Sequence, residues 1–349
     1  MVYNRYSKSP RVLSDGNKSS VRVLVLASYR SGSTFVLELF KQNEKFFSLF
    51  EPGHVLAACL PNNEKKKTIF SARIIELLHD IYTCTFQSLY ARCYITAGSG
   101  SFSVKNAMSR TSGLQEIHVD DVIEYCNKRE HIAVKTIRVE YLNDVVPLIR
   151  DSDVNLKVLH LVRDPRGKFL SIRKLEKEKI PLEKVMEMVN RYCNVWARNI
   201  AIGNDARKWL QNNYKTIRYE DLAQHPITTA TEIYQFLGLE LPDNVRVWLR
   251  DNTDHNSGGA YGTSRKSNIT STAWRKNLSF NEVQQVQSFE SCQQMMKWAG
   301  YKIANSHEEM MNLNVSLVVP NIKLNWTRIG TSPEYTYSGN AKSTWIEVI

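Results

Sequence analysis

Residues 21 to 35 read VRVLVLASYRSGSTF, and no other stretch restricts the fold as much. Val21 to Leu26 are mostly apolar and predict a short buried strand. The strand runs into Ser28-Tyr29-Arg30-Ser31-Gly32-Ser33-Thr34, and then into a helix start marked by Phe35, Val36, Leu39 and Phe40. A strand that feeds a loop of small residues and then a helix builds an anion cradle. Backbone N–H groups converge, the helix N-terminus adds partial positive charge, and hydroxyls complete the shell. The segment therefore predicts a site for a phosphate or a sulfate.

Two donors compete for such a loop. In the nucleoside triphosphate pattern G-x-x-x-x-G-K-[ST], Ala27 replaces the first glycine, Gly32 and Thr34 match, and Ser33 replaces the lysine. That lysine neutralises the β and γ phosphates, so its loss argues against ATP or GTP. The loop cation is instead Arg30, two residues before the glycine, an order found in sulfotransferases, whose donor is 3′-phosphoadenosine 5′-phosphosulfate (PAPS). Taken alone the loop fits either donor, or a plain serine-rich turn. A second segment, LKVLHLVRDPRGKFLSIR at 156–173, separates them. Val158 to Val162 predict another strand, Asp164 a helix cap and Pro165 the first helical position. Arg163 ends the strand and Ser171 follows eight residues later on the helix. A donor with a separate 3′-phosphate needs a second anion site, and the planar fork of an arginine can engage two phosphate oxygens. By itself this segment also reads as an ordinary strand-to-helix turn.

SYRSGSTF and LVRDPRGKFLS, in this order, resemble the 5′-phosphosulfate loop and the 3′-phosphate motif of the Golgi carbohydrate 6-O-sulfotransferases of galactose, N-acetylglucosamine and N-acetylgalactosamine. The likeness is nearest in character to the keratan-sulfate galactose and chondroitin 6-sulfotransferases. Further echoes are FEP at 50–52, RYEDLA at 218–223, FLGL at 236–239, YGTSRKS with AWR within 261–275, and CQQMMKWAGYKIANS at 292–306. The resemblance implies an α/β, P-loop-like three-layer fold, a mainly parallel sheet flanked by helices. It implies a polar segment at 1–20, a sulfotransferase domain at 21–307 and an accessory tail at 308–349. It also implies transfer of the PAPS sulfuryl group, without a metal, to a 6-hydroxyl of a keratan- or chondroitin-type glycan, in the Golgi lumen or at its membrane.

Charge and cysteine usage agree with this. The 349 residues carry a formal net charge of +11, which favours polyanionic partners. Nucleic acid is not expected: there is no zinc-finger spacing, no RNP-type aromatic motif and no Lys/Arg tract beyond Lys65-Lys66-Lys67. An anionic glycan together with the donor accounts for the same bias, as does a simple solubility surplus. The six cysteines, at 59, 84, 93, 126, 193 and 292, form no metal-ligand spacing, and six allow 15 pairings, so none is assigned. Five N-x-[ST] sequons, at Asn17, Asn268, Asn277, Asn314 and Asn325, point to the secretory pathway. The family's N-terminal membrane anchor is not visible, since residues 1 to 20 are polar, and we expect the chain to be incomplete there.

Between the motifs the pattern alternates strands and helices. Strands are expected at Phe46 to Glu51, Ile132 to Ile137 and Lys215 to Tyr219, and helices at Thr68 to Tyr82 and 183–202. Ala97 to Ser103 reads as a Gly/Ser-rich loop. A further helix opens at Pro226 and closes at Gly238, and the capping box Ser279-x-x-Glu282 begins one that ends at Gly300. Ligands of such a sheet sit beyond the strand carboxyl ends.

Sulfuryl transfer is an in-line displacement akin to phosphoryl transfer. Arg30 is assigned to the charge growing on the leaving phosphate, an electrostatic role, because arginine does not readily release a proton. The sugar hydroxyl needs a base. Glu51, at a strand end and within FEP, is the candidate, and His54 is its rival. Donor binding is assigned to Arg30, Ser31, Gly32, Ser33, Thr34 and Phe35, and to Arg163 and Ser171. By resemblance it extends to Tyr219 against adenine and to Arg265 and Lys266 in a loop that Trp274-Arg275 anchors. Lys135 and Arg138 in AVKTIRV clamp a ligand or lie in solvent. Acceptor choice is expected in the loops 57–67 and 95–112. Two other classes stay in view: a P-loop kinase or NTPase, for which Asp164 is the candidate magnesium ligand, and a non-catalytic polyanion-binding protein of the same fold.

Overall fold

The structure is a computed structural model that describes residues 20–60, 67–96, 98–108, 117–176, 179–204, 210, 212–253 and 266–320. Five strands form one wholly parallel sheet: β1 (Arg22–Leu26), β2 (Phe46–Phe50), β3 (His131–Thr136), β4 (Leu156–Val162) and β5 (Tyr214–Arg218). Their order is β2-β3-β1-β4-β5. Apolar residues fill both sides of β1, because alternate side chains point to opposite faces. Leu24 and Leu26 join a core with Phe47, Leu77, Tyr94 and Val134, whereas Val23 and Val25 join Val36, Leu39, Leu159 and Tyr234 on the other face. Burial on both faces is why these strands read as apolar runs and not as alternating ones. A third cluster, with Phe169, Trp196, Val283 and Met295, packs the helices Pro165–Leu175, Leu182–Asn204, Phe280–Ser288 and Glu290–Ala299 against each other.

The pairing register aligns the carboxyl ends. Leu26 lies opposite Thr136 and His160, Phe50 opposite Lys135, and Val162 opposite Arg218. From β1 the chain crosses towards β2 and β3, and from β4 it crosses the other way to β5. The loops after β1 and β4 therefore diverge from neighbouring strands and leave a crevice between them, where α/β sheets bind ligands.

Three disulfides close the six cysteines: Cys59–Cys93, Cys84–Cys126 and Cys193–Cys292. No helix among the described residues is long and apolar enough to cross a membrane.

Several local expectations are corrected. The segment expected to be a loop at Ala97 to Ser103 is helical over Gly98–Met108, Ala97 lying outside the described residues. Buried Val104 and Met108, and Ser103 Oγ accepting from Phe50 N at 2.9 Å, outweigh the helix cost of glycine. The helix that starts at Ser279, with its capping box as expected, stops at Ser288 and restarts at Glu290. Extended backbone at Phe289 (ψ 120°) lets the second piece lie along Leu182–Asn204, to which Cys292 is bonded through Cys193. Glu51 and Tyr219 are not strand residues: β2 ends at Phe50 and β5 at Arg218, Glu51 is the N-cap of the helix Pro52–Cys59, and Tyr219 is the first residue of the helix Tyr219–Gln224.

Candidate active site

The crevice is a cleft of about 580 Å³ lined by Arg30, Gly32, Ser33, Thr34 and Phe35 from the first motif and by Arg163, Gly167 and Ser171 from the second. Glu51, His54, Lys135, Arg138, Tyr219 and Lys266 also line it. Of the residues expected to bind a donor, Ser31 does not line the cleft. Its hydroxyl donates to the Ser28 carbonyl at 2.7 Å and closes the loop from inside. Arg265 lies outside the described residues.

The loop after β1 is a turn from Ser28 to Ser31, closed by Ser31 N donating to Ser28 O at 3.2 Å. Arg30, third in the turn, has φ 60°, a left-handed conformation that is uncommon for a side-chain-bearing residue. Gly32 has φ 91°, and a Cβ there would stand 2.4 Å from Tyr219 Cδ2. Only glycine fits, on conformation and on space together. The helix Ser33–Lys41 then begins, with Phe35 N donating to Gly32 O at 3.0 Å.

The second motif meets this loop directly. Arg30 Nε donates to Ser171 Oγ at 3.1 Å, and Arg163 Nη1 donates to the Arg30 carbonyl at 2.8 Å. The Arg163 guanidinium lies 4.4 Å from the centroid of the Tyr219 ring, a cation–π contact. Arg163 is 8% exposed, and its Nε has no hydrogen-bond acceptor among the described residues.

Buried polar groups fix the second motif from behind. Asp164 caps the helix by accepting from Arg166 N at 2.9 Å, and it also grips the Arg166 guanidinium at 2.9 and 2.7 Å. Arg166, fully buried, stacks 4.1 Å from the Trp274 ring centroid and donates to Gln287 Oε1 at 2.9 Å. Tyr192 Oη accepts from Arg163 N and donates to Arg163 O, both at 2.8 Å. Glu220 accepts from Asp164 N at 3.1 Å and from Tyr301 Oη at 2.7 Å. Burial, with the charge of Asp164 beside it, pushes the Glu220 carboxyl up to about 7.

Across the cleft, Glu51 is 7% exposed and ion-paired with the equally buried Lys135. Its second oxygen accepts from Ile137 N at 3.2 Å. Lys135 Nζ also lies 4.2 Å from the ring centroid of Phe50. Lys135 is thus no solvated strand-end cation. Glu51 is the N-cap residue of the helix Pro52–Cys59 with φ 48°, and His54 stands exposed one turn on.

The loop that Trp274-Arg275 were expected to anchor lies, up to residue 265, outside the described residues. The Arg275 guanidinium donates to the carbonyls of Glu309, Met310, Asn312 and Val315 and so fastens the segment after 307. The sequence reading missed Lys168, Arg166, Tyr192 and Glu220. Lys168 alone left a trace, standing one helical turn before Ser171 on the same face.

Residues 20–300 match the model of the sulfotransferase domain. The chain is 33% identical over 344 residues to carbohydrate sulfotransferase 1 of Homo sapiens, covering 85% of this chain and 83% of the relative. It is 32% identical over 344 residues to carbohydrate sulfotransferase 1 of Danio rerio (85% and 81%) and 28% over 340 residues to human carbohydrate sulfotransferase 3 (85% and 70%). Among solved structures it is similar to a retinol dehydratase in complex with androsterone and inactive cofactor PAP, at a TM-score of 0.44, 15% identity and coverage of 79% and 80%.

Proposed function

The chain belongs to the carbohydrate sulfotransferases, enzymes that draw on PAPS, and from that premise we propose that it sulfates the 6-hydroxyl of a galactose, N-acetylglucosamine or N-acetylgalactosamine residue in a keratan- or chondroitin-type glycan. The observation that carries the reading is the convergence of the two motifs, where Arg30 reaches Ser171 within one cleft. One molecule with an anion at each end suits that arrangement.

In this reading the amides at the start of the helix Ser33–Lys41, with the Ser33 and Thr34 hydroxyls, hold the 5′-phosphosulfate. Arg30 stabilises charge as it grows on the departing phosphate oxygen. Arg163 and Ser171 hold the 3′-phosphate by charge and by hydrogen bond. Tyr219 borders the adenosine side, and Lys266 adds positive charge at the donor. Glu51 takes the proton of the attacking sugar hydroxyl. Lys135 orients that carboxylate through their ion pair. The sulfuryl group leaves the phosphate oxygen for the sugar oxygen, giving a sulfate ester and adenosine 3′,5′-bisphosphate.

Three disulfides and several sequons suit an oxidising secretory compartment, and the family points to the Golgi lumen. The experiment is calorimetry with adenosine 3′,5′-bisphosphate in EDTA and with Mg-ATP, followed by transfer of radiolabelled sulfate onto keratan, chondroitin and N-acetylglucosamine-terminated acceptors. Metal-free binding of the bisphosphate and labelling at a 6-hydroxyl are expected. Preference for Mg-ATP would move the protein to the kinase or NTPase class, and binding without transfer to any acceptor would make it a polyanion-binding protein.

A further inference from the structure

Lys168 lies beneath the loop after β1, on the helix Pro165–Leu175, and is 3% exposed. Its ammonium donates to Ser28 Oγ at 2.9 Å and to the Tyr29 carbonyl, and lies 4.4 Å from the Tyr192 ring centroid. No carboxylate among the described residues pairs with it. A buried lysine without an acid is costly, and both of its hydrogen bonds go to one four-residue turn.

That turn has an unusual need. Positive φ occurs at its third residue, Arg30, and not at Tyr29. This is the type II pattern, whose flipped central peptide normally selects glycine at the third position. The central peptide joins Tyr29 to Arg30, and its carbonyl is the group that Lys168 holds. The next carbonyl, of Arg30, is held by Arg163. Two cations from the second motif thus grip successive carbonyls of the first.

We propose that Lys168 is a positioning residue for sulfuryl transfer: its hydrogen bond to the Tyr29 carbonyl keeps the Tyr29–Arg30 peptide flipped, and so sets Arg30 in the left-handed conformation from which its side chain reaches the donor. The inference rests on the sulfotransferase reading of the cleft. Burial, then the charges of Arg163 and Arg30, push the Lys168 ammonium well below the ordinary lysine range. A neutral amine still donates a hydrogen bond, so the grip does not depend on charge.

The test compares Lys168→Met, of similar length without a donor, with Lys168→Gln, which keeps an uncharged N–H donor. Binding of adenosine 3′,5′-bisphosphate is measured by calorimetry, and kcat and acceptor KM by sulfate transfer, alongside thermal melts. Lys168→Met should lose about tenfold or more in bisphosphate affinity and in kcat, with acceptor KM unchanged. Lys168→Gln should stay within about threefold of wild type. Equal losses in the two variants, or a Met variant like wild type, would overturn the proposal. Should Lys168→Met fail to fold, the Gln variant decides alone: near-native affinity and kcat support the inference, and a folded variant with about a tenfold loss refutes it. Failure of the wild-type protein to bind the bisphosphate would instead refute the reading of the cleft itself.

Discussion

Arg30 and Ser171 stand 141 residues apart in the chain and are joined by a hydrogen bond of 3.1 Å from Nε to Oγ. The contact closes the crevice between β1 and β4, so that each motif completes the other. Its energetic worth is small, about 1 kcal/mol for a partly exposed pair. Its meaning lies in placement, since it brings both groups to the wall of one cleft.

Replacing Arg30 with alanine should therefore leave folding nearly unchanged and lower kcat by about two to three orders of magnitude, as loss of a charge-stabilising donor does. Ser171→Ala should cost about 1–3 kcal/mol of bisphosphate affinity. Initial rates of sulfate transfer and calorimetry check the two separately. A Ser171→Ala effect confined to acceptor KM would contradict the assignment.

Gly32→Ala tests the cradle. A left-handed alanine costs about 1–2 kcal/mol, and its Cβ would overlap Tyr219, whose ring would have to move from under Arg163. A lowered melting temperature and weakened bisphosphate binding are expected. Adding Tyr219→Ala should recover part of the stability and none of the affinity. Thermal melts and titrations on the single and double variants measure this.

The Glu51–Lys135 pair separates catalysis from stability. Glu51→Gln leaves a buried ammonium without its partner, a loss of about 3–5 kcal/mol. It should cut kcat while donor affinity persists at temperatures where the variant is folded. The double variant Glu51→Gln/Lys135→Met should regain much of the melting temperature and remain inactive. Recovery of transfer in the double variant would shift the base to His54.

Glu220 gives a pH signature. Its carboxyl titrates near 7 in the folded protein, above the ordinary 4.5, mainly because it is buried. Between these values the folded state holds a proton that the unfolded chain has released. The stability so contributed, on the order of 3 kcal/mol, is complete below about pH 4.5 and disappears as pH rises through 7. Thermal melts from pH 5 to 8 should show a decline in the wild type that Glu220→Gln flattens. Parallel profiles would rule out Glu220 as the titrating group.

Contiguity decided what the sequence could show. Arg30, Gly32, Arg163 and Ser171 lie inside two short runs where strand, loop and helix follow each other, so their local chemistry implied their position. Glu51 was legible as a carboxylate at the end of β2, and its partner Lys135 was visible as a residue without its burial. Glu220, Tyr192 and Arg166 act from behind the motif through contacts that span tens of residues, and no spacing announces those. The break at Phe289 and the helix Gly98–Met108 follow from packing that local propensity does not encode.

The strand order has a consequence for how such a protein can change its acceptor. Glu51, Lys135 and Arg138 all leave the β2–β3 side of the sheet, while Arg163, Ser171 and Tyr219 leave β4 and β5. The chain between β2 and β3 also carries two of the disulfides, Cys59–Cys93 and Cys84–Cys126, with both ends inside it. It is a self-stapled cassette, packed on one face of the sheet and joined to the other strands by no disulfide. In the proposed reading, which puts acceptor choice in this insert, a different glycan would be met by recutting it, with the residues assigned to the sulfate carrier left as they are.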